Sequence, residues 1–271
     1  MNENDPFTVA VEGTGRIAIR VSADGKMQTR SETPLSDAQR NQYLVTIRQG
    51  NTIKVDAKVF SQLTKDDLTA NAGYGYSVMA ESCSAADAES KPTVYGQPRL
   101  QGISASFAVV KDETSTVDVH CRPVNAGVTV APEESFTDNF SDYEMEVQLG
   151  SRRLVFTLAD ADKIGYYNVP EAGATLSYSL VAIRREGGEP AVLQSTSPLQ
   201  PGKISKLVLR SSAKGTINVT IIYDDSFDTE HIDLIIDTDE DDDNDDDNDD
   251  DDFEVTTDPN KETNKQLVRK K

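Results

Sequence analysis

The sequence of 271 residues contains no tryptophan, two histidines and two cysteines. With so few of these residues, clustered metal sites and catalytic triads are not expected. A helix that crosses a bilayer needs about 20 consecutive apolar residues, and no such run occurs, so the sequence predicts no membrane-spanning helix. It also predicts no cofactor and no enzymatic activity.

Basic residues are also few: the sequence has 27 lysines and arginines and 47 aspartates and glutamates. Residues 1–223 carry 26 acidic and 22 basic side chains, whereas residues 224–271 carry 21 and 5. A nucleic-acid partner is not expected, since phosphate binding requires clustered lysine and arginine. Residues 239–252 are all acidic except Asn244 and Asn248. This stretch is predicted to be disordered, and it lacks the glycine of an EF-hand calcium loop.

What the sequence does have is alternation of apolar and polar residues in short runs, which is typical of half-buried strands. Such runs occupy residues 9–11, 17–21, 43–47, 53–59, 74–80, 103–109, 117–121, 124–130, 143–149, 154–158, 176–180, 207–209 and 217–223. The parity of the pattern changes at Cys121, just before Pro123, a residue that cannot donate to a strand ladder. The sequence therefore predicts an all-β fold of two tandem antiparallel β-sandwich domains of the immunoglobulin or transthyretin kind. They span residues 1–121 and 122–237, and an acidic tail spans residues 238–271.

Helical signals are short and occur at residues 61–68, 84–89 and 160–164. Ser84 and Asp87 have the spacing of a capping box. We interpret all three segments as single turns at the ends of the sandwiches.

Two patterns that resemble catalytic motifs are interpreted as structural. Residues 13–18 match a dinucleotide-binding loop, but the pattern that follows is a strand and not the helix that such a loop requires. His120 and His231 are interpreted as surface residues, because no serine or carboxylate can be assigned to either of them. No catalytic residue is therefore predicted.

Carboxylates occur two residues apart at Glu144 and Glu146 and at Asp160 and Asp162. On a strand, this spacing places both side chains on one face. We interpret both pairs as lying on solvated strand faces, and no metal site is predicted.

Cys83 and Cys121 each follow a predicted strand. If the two strands are neighbours, a disulfide would close a loop of about 40 residues and contribute roughly 3–4 kcal/mol to stability. The alternative is a pair of buried free thiols, and the sequence does not decide between them.

Tyr95, Tyr166 and Tyr167 lie in predicted turns. A tyrosine ring exposed in a turn can stack on a sugar while its hydroxyl stays in water. These three residues are the candidate ligand-binding residues. The competing interpretation is that they close the ends of the sandwiches.

Several segments of the sequence resemble domain of unknown function 4493, a family of surface lipoproteins of Bacteroidetes. They lie at residues 15–21, 76–83, 95–99, 116–121 and 140–143. The resemblance covers roughly residues 13–236, and its motifs are structural and not catalytic.

The resemblance implies a location at the cell surface, on the outer membrane, reached through a signal peptide and a lipidated cysteine upstream of Asn2. It also implies an architecture like that of fimbrial subunits from these bacteria. The function expected from it is that of a non-enzymatic structural or adhesive lipoprotein whose partners are other surface or fimbrial subunits. The alternative is a non-catalytic module that binds host or dietary glycans and is linked to polysaccharide use. In the first case, residues 232–236 could complete the edge of a sheet in their own domain or in a neighbour.

Overall fold

A computed structural model of the protein describes residues 12–26, 29–34, 37–161, 163–212, 216–224 and 231–235. Strands dominate these residues, which confirms the all-β prediction. The predicted acidic tail, residues 9–11 and Asp162 lie outside the described residues.

In the first half of the chain, the described residues form nine strands. They are β1 (Thr14–Lys26), β2 (Thr29–Pro34), β3 (Leu44–Gln49), β4 (Thr52–Val59), β5 (Thr69–Asn71), β6 (Gly73–Glu81), β7 (Leu100–Ile103), β8 (Phe107–Val109) and β9 (Thr114–Pro123). Two short helices, α1 (Asp37–Arg40) and α2 (Ala85–Ser90), and one 3₁₀ turn (Phe60–Gln62) connect them. Helix α2 begins as predicted, because the Ser84 side chain accepts a hydrogen bond from the Asp87 backbone N–H.

These strands form one sheet in the order β2-β1-β9-β7-β6-β3-β4, with β5 paired to β1 and β8 paired to β6. Apolar side chains from both ends of this sheet form a single hydrophobic cluster. Ile17 of β1, Val119 of β9 and Ile47 of β3 all belong to it. The sheet therefore folds over on itself, and the inward half of the alternating pattern fills the space between its two layers.

In the second half, the part of the chain that the structure describes forms nine further strands. They are β10 (Asn125–Pro132), β11 (Phe140–Leu149), β12 (Arg152–Thr157), β13 (Gly165–Asn168), β14 (Ala174–Arg184), β15 (Ala191–Leu199), β16 (Ile204–Ser211), β17 (Ile217–Asp224) and β18 (His231–Ile235). Helix α3 (Glu134–Asn139) and a 3₁₀ turn (Leu158–Asp160) lie among them.

These strands form two sheets, one in the order β13-β10-β16-β17-β18 and the other in the order β12-β11-β14-β15. A second hydrophobic cluster lies between them and includes Val128, Met145, Leu180 and Leu207, all fully buried. Aromatic rings close one side of it: Phe136 of α3 stacks on Phe140 with centroids 4.8 Å apart.

Two strand pairs correct the prediction of purely antiparallel sandwiches. Strand β1 runs parallel to β9, and β10 runs parallel to β16. Each pair joins strands far apart in the sequence, so the long connection between them allows either direction. Alternation of apolar and polar residues reports which face of a strand is buried and carries no information on direction.

The predicted run 103–109 is also corrected, because it is divided between β7 and β8 and Ile103 is 66% exposed. The apolar clusters separate after Cys121 and before Ala126. The domain boundaries themselves stay a prediction.

Candidate functional site

Tyr95 lies in residues 93–99, which connect α2 to β7 and which we call the junction segment. Although this segment belongs to the first half, Tyr95 packs against the second hydrophobic cluster. Its ring centroid lies 5.4 Å from that of Phe156, and its hydroxyl donates a 2.8 Å hydrogen bond to the Val155 carbonyl. Burial, with Asp160 nearby, raises the pKa of Tyr95 to about 12. The ring therefore joins the two halves.

The junction segment is fixed to helix α2 by its backbone. Gln97 N–H donates to the Ala88 carbonyl at 2.8 Å. Gly96 has a φ of +80°, and a Cβ there would lie 2.2 Å from the Ala88 carbonyl oxygen. Only glycine fits at this position, because the backbone is left-handed and the space is already filled.

Tyr166 and Tyr167 belong to β13, on the opposite side of the junction. Tyr166 N–H donates to the Tyr95 carbonyl at 2.8 Å, so the structure brings these two tyrosines together. Tyr167 has no exposed surface; its hydroxyl donates to the Val147 carbonyl at 3.0 Å, and the Arg152 guanidinium lies 5.3 Å from its ring centroid. Burial raises the pKa of both tyrosines.

Asn125 is the first residue of β10 and is fully buried. Its side-chain oxygen accepts a 2.9 Å hydrogen bond from Arg99 N–H, and its side-chain amide donates at 2.9 Å to the Gln97 carbonyl. The Arg99 side chain in turn donates to the Glu81 carboxylate at 2.5 Å, on β6. Asn125 thus connects the second half to the junction segment and, through it, to the first sheet.

Further hydrogen bonds cross the same junction. Glu89 of α2 accepts from Asn168 N–H at 2.7 Å, and the Asn168 side chain donates to the Ala85 carbonyl at 2.8 Å. Arg152 donates to the Val94 carbonyl at 2.8 Å. These contacts with Tyr95 and Asn125 hold the two halves as one body.

This placement bears directly on the three candidate tyrosines. A ring without exposed surface cannot stack on a sugar. The prediction of Tyr167 as a ligand-binding residue is therefore wrong, and Tyr167 is a core residue. Tyr95 and Tyr166 are partly exposed, but each makes hydrogen bonds across the junction; their role in ligand binding stays a prediction. Among the described residues, the tyrosine with a large exposed surface is Tyr74, at 67%, at the start of β6.

A polar surface groove of about 410 Å³ lies on the four-stranded sheet of the second half. Two rows of cross-strand neighbours form it on β11, β14 and β15: Glu146, Ser179 and Gln194 in one row, and Gln148, Ser177 and Thr196 in the next. We call this groove the polar trough. Its serines form a low floor on the central strand, and the longer side chains form banks on either side.

The electrostatics of the polar trough are close to neutral. Glu146 supplies its one carboxylate, which forms an ion pair with Arg153 of β12. The remaining side chains are hydroxyls and amides, each of which both donates and accepts hydrogen bonds. The arrangement can bind a neutral polar ligand through many hydrogen bonds.

A second cavity, of about 520 Å³, lies at the start of β1. Charged groups of both signs line it, including Arg16, Lys65, Asp66, Asp112 and Glu113. Asp66 also accepts a hydrogen bond from Lys54 through its backbone carbonyl, at 3.1 Å. This mixture of charges does not favour one class of ligand.

Cys83 and Cys121 are free thiols in this structure. Cys121 is buried and donates to the Ala80 carbonyl at 3.4 Å, and burial raises its pKa to about 12. The Cys83 sulfur accepts a hydrogen bond from Ser82 Oγ at 3.9 Å, and burial raises its pKa as well. The two thiols are therefore separate in this structure, and of the two only Cys121 is buried, whereas the alternative of free thiols expected both to be buried.

Residues 13–18, His120 and His231 resemble parts of catalytic motifs but are interpreted as structural. Of residues 13–18, all except Gly13 belong to strand β1. His120 is half-buried, not fully on the surface, and its Nδ1 lies 3.0 Å from Ser22 Oγ because β1 and β9 are neighbours. The side chain of His231 lies outside the described residues.

Of the carboxylates, Glu144 is exposed and Glu146 half-exposed, on the outer face of β11. Asp160 lies in a 3₁₀ turn, Leu158–Asp160, which corrects its interpretation as part of a solvated strand face; the sequence also predicts a single turn at residues 160–164. Its carboxylate accepts from Thr157 N–H and Oγ1 and pairs with Lys163. These contacts lower the pKa of Asp160 to about 2.

Among the described residues, no helix is both long and apolar enough to cross a membrane. Nor does any group of three or more histidine, cysteine, aspartate or glutamate side chains in these residues have the arrangement of a metal site.

These features define an all-β protein in which two folded halves are joined through a shared set of buried side chains. Residues 13–238 match the family described as Domain of unknown function (DUF4493), and the chain belongs to this family. Among curated proteins, no match is found.

Three solved structures illustrate more distant likenesses. The fimbrial anchor protein Mfa2 from Porphyromonas gingivalis has 9% identity and a TM-score of 0.39, covering 77% of this chain and 96% of its own. A fimbrial assembly protein from Parabacteroides distasonis has 9% identity and a TM-score of 0.39, covering 82% and 89%. A candidate polysaccharide binding protein from Bacteroides thetaiotaomicron has 10% identity and a TM-score of 0.41, covering 80% and 98%. At these values, no conclusion is based on the likeness.

Proposed function

We propose that the protein is a non-enzymatic structural or adhesive component of the cell surface, built from two β-sandwiches that project as one rigid unit. The observation that carries this proposal is the junction. Tyr95 and Asn125 each place a side chain from one half into hydrogen bonds or packing with the other. Domains that share only a small polar interface move relative to each other by default; side chains inserted across a junction oppose that motion.

The direction of β1 supports a projecting arrangement. Ala23 of β1 pairs with Cys121, close to the junction, whereas Thr14 begins the same strand nine residues earlier. At about 3.3 Å per residue, Thr14 lies about 30 Å away, at the end remote from the second half. An N-terminal lipid anchor on the outer membrane, which the family resemblance implies, would then hold the first sandwich and leave the second one projecting.

The division that accompanies this proposal is a first sandwich at residues 1–121, a second at residues 122–237 and an acidic spacer at residues 238–271. Its partners are neighbouring surface or fimbrial subunits. Glycans are the partners in the alternative function.

The test is made on intact cells of the source organism. We expect an antibody against the second sandwich to label intact cells, and we expect cells without the gene to lose attachment to an abiotic or host surface. Restoring the full-length gene recovers both. Labelling only after lysis, or attachment that does not change without the gene, contradicts the proposal.

Strand β18 provides a separate test of assembly. It pairs with β17 at the edge of the five-stranded sheet, with Asn218 opposite Ile235 and Ile222 opposite His231. Deleting residues 229–238 is expected to lower the free energy of unfolding by about 1–3 kcal/mol, because it exposes the hydrogen-bonding edge of β17, and to change the oligomer size measured by light scattering. A truncation that removes only residues 253–271 is the control. No change in either measurement would contradict a role for β18 in stability or assembly.

A further inference from the structure

The polar trough has a shape that the alternation of a single strand does not reveal. Ser177 and Ser179 lie on the central strand β14, between banks formed by Glu146 and Gln148 on β11 and by Gln194 on β15. Neighbouring strands lie about 4.8 Å apart, so the two bank strands are separated by about 10 Å. The small floor residues leave the space between the banks open.

The width of the polar trough limits what it can bind. An α-helix with its side chains is about 10–12 Å in diameter, which exceeds the gap once the glutamine side chains are counted. An extended peptide binds most effectively to the edge of a sheet, where backbone groups are free, whereas this site lies on a face. A narrow, extended ligand that is recognised by side chains fits both limits.

The chemistry of the lining favours hydroxyl groups as the partners. Serine, threonine and glutamine each donate and accept hydrogen bonds, as does a sugar hydroxyl. The carboxylate of Glu146 is paired with Arg153, so the polar trough presents no unpaired cation to attract an anionic ligand. A neutral ligand is therefore favoured over a uronic acid or a phosphate.

An apolar row lies directly beyond the polar one. Val181 and Val192 are cross-strand partners on β14 and β15, one step along from Ser179 and Gln194, and they are 38% and 52% exposed. The third member of this row is the exposed Glu144 of β11, opposite Val181, whose carboxylate also disfavours an anionic ligand. A sugar ring carries hydroxyls at its edge and C–H groups on its face, so it can use both rows. The exposed valines supply an apolar contact, because Tyr178, which also lines the groove, is only 3% exposed and its ring belongs to the core.

We infer that the polar trough and the adjoining Val181 and Val192 bind a neutral oligosaccharide in extended form. This inference rests on the proposed location at the cell surface and names a site for the alternative function, in which glycans are the partners. The site differs from the candidate tyrosines, which contribute to the junction. Without a stacking ring, each site binds weakly, and many copies displayed on one cell supply the avidity.

The test uses the full chain, biotinylated and tetrameric on streptavidin, on an array of linear neutral oligosaccharides of glucose, mannose, galactose and xylose, with oligouronates as the acidic comparison. Wild type is expected to bind at least one neutral class more strongly than any oligouronate. The variant Ser179→Trp fills the floor of the trough and is expected to reduce that binding at least tenfold. The matched control, Thr116→Trp, makes the same kind of change at an exposed position on β9 and is expected to bind like wild type.

A second variant keeps the inference testable if Ser179→Trp does not fold. The double change Gln148→Ala and Gln194→Ala removes one long side chain from each bank without adding volume, and it is expected to weaken binding several-fold with an unchanged circular dichroism spectrum. Wild type that binds no neutral glycan, wild type that prefers oligouronates, or binding that survives both trough variants would overturn the inference. A failure of this kind leaves the surface role intact, because labelling of intact cells tests that role independently.

Discussion

Replacing Tyr167 with alanine is expected to lower the free energy of unfolding by about 3–5 kcal/mol, the range for truncating a large buried aromatic side chain. The side chain has no exposed surface, lies within the second hydrophobic cluster and donates a hydrogen bond to the Val147 carbonyl. Its removal leaves a cavity next to the junction and takes away the ring on which Arg152 lies. Urea unfolding of purified full-length protein measures the change as a shift of the midpoint.

Two comparison variants make this prediction specific. Tyr167→Phe keeps the ring and loses only the hydroxyl, so the expected cost falls to about 1 kcal/mol. Tyr74→Ala removes a tyrosine that is 67% exposed, and the expected change lies within about 0.5 kcal/mol. If Tyr167→Ala were as stable as Tyr74→Ala, the placement of Tyr167 in the core would be wrong.

The location and burial of the candidate tyrosines show what the sequence could and could not predict. Tyr95 lies in a turn as predicted, whereas the prediction of a turn is wrong for Tyr166 and Tyr167, which lie in strand β13. The residues that bury Tyr95 come from another part of the chain. Tyr95 is covered by Phe156 and bonded to Val155, about 60 residues later. Local pattern cannot distinguish an exposed turn from one covered by a distant segment.

Strand β15 shows a second limit. Its inward positions include Ser195 and Ser197, and Ser197 is fully buried. Because serine occupies positions that alternation would fill with apolar residues, the strand was missed, and with it one bank of the polar trough. The trough also depends on β11, β14 and β15 being neighbours, which no single run reveals. In contrast, Ser84 at the start of α2 was correctly predicted, since capping is a contact between residues three apart.

Asn125 is expected to be the most sensitive polar residue of the junction. Its side chain is fully buried and makes two hydrogen bonds of 2.9 Å, accepting from Arg99 N–H and donating to the Gln97 carbonyl. Asn125→Ala leaves one donor and one acceptor of the backbone without these partners, and each buried group without a partner costs about 1–3 kcal/mol. The expected loss of unfolding free energy is therefore about 2–6 kcal/mol, whereas Asn41→Ala, at an exposed position, is expected to change it by less than about 0.5 kcal/mol.

The same substitution tests whether Asn125 holds the two halves together, because a loss of stability alone does not show this. Amide hydrogen exchange in Asn125→Ala is expected to rise first at Arg99, whose N–H loses its acceptor, while strands remote from the junction keep their protection. Asn125→Asp separates the two bonds. An ionised aspartate still accepts from Arg99 N–H but meets the Gln97 carbonyl with a second acceptor, and burial raises the pKa of such a carboxyl. The stability of Asn125→Asp relative to wild type should therefore improve as the pH falls through that pKa, since the protonated form can donate to Gln97. If exchange rises equally throughout both sandwiches, or if Asn125→Asp shows no such improvement, these two hydrogen bonds do not control the junction.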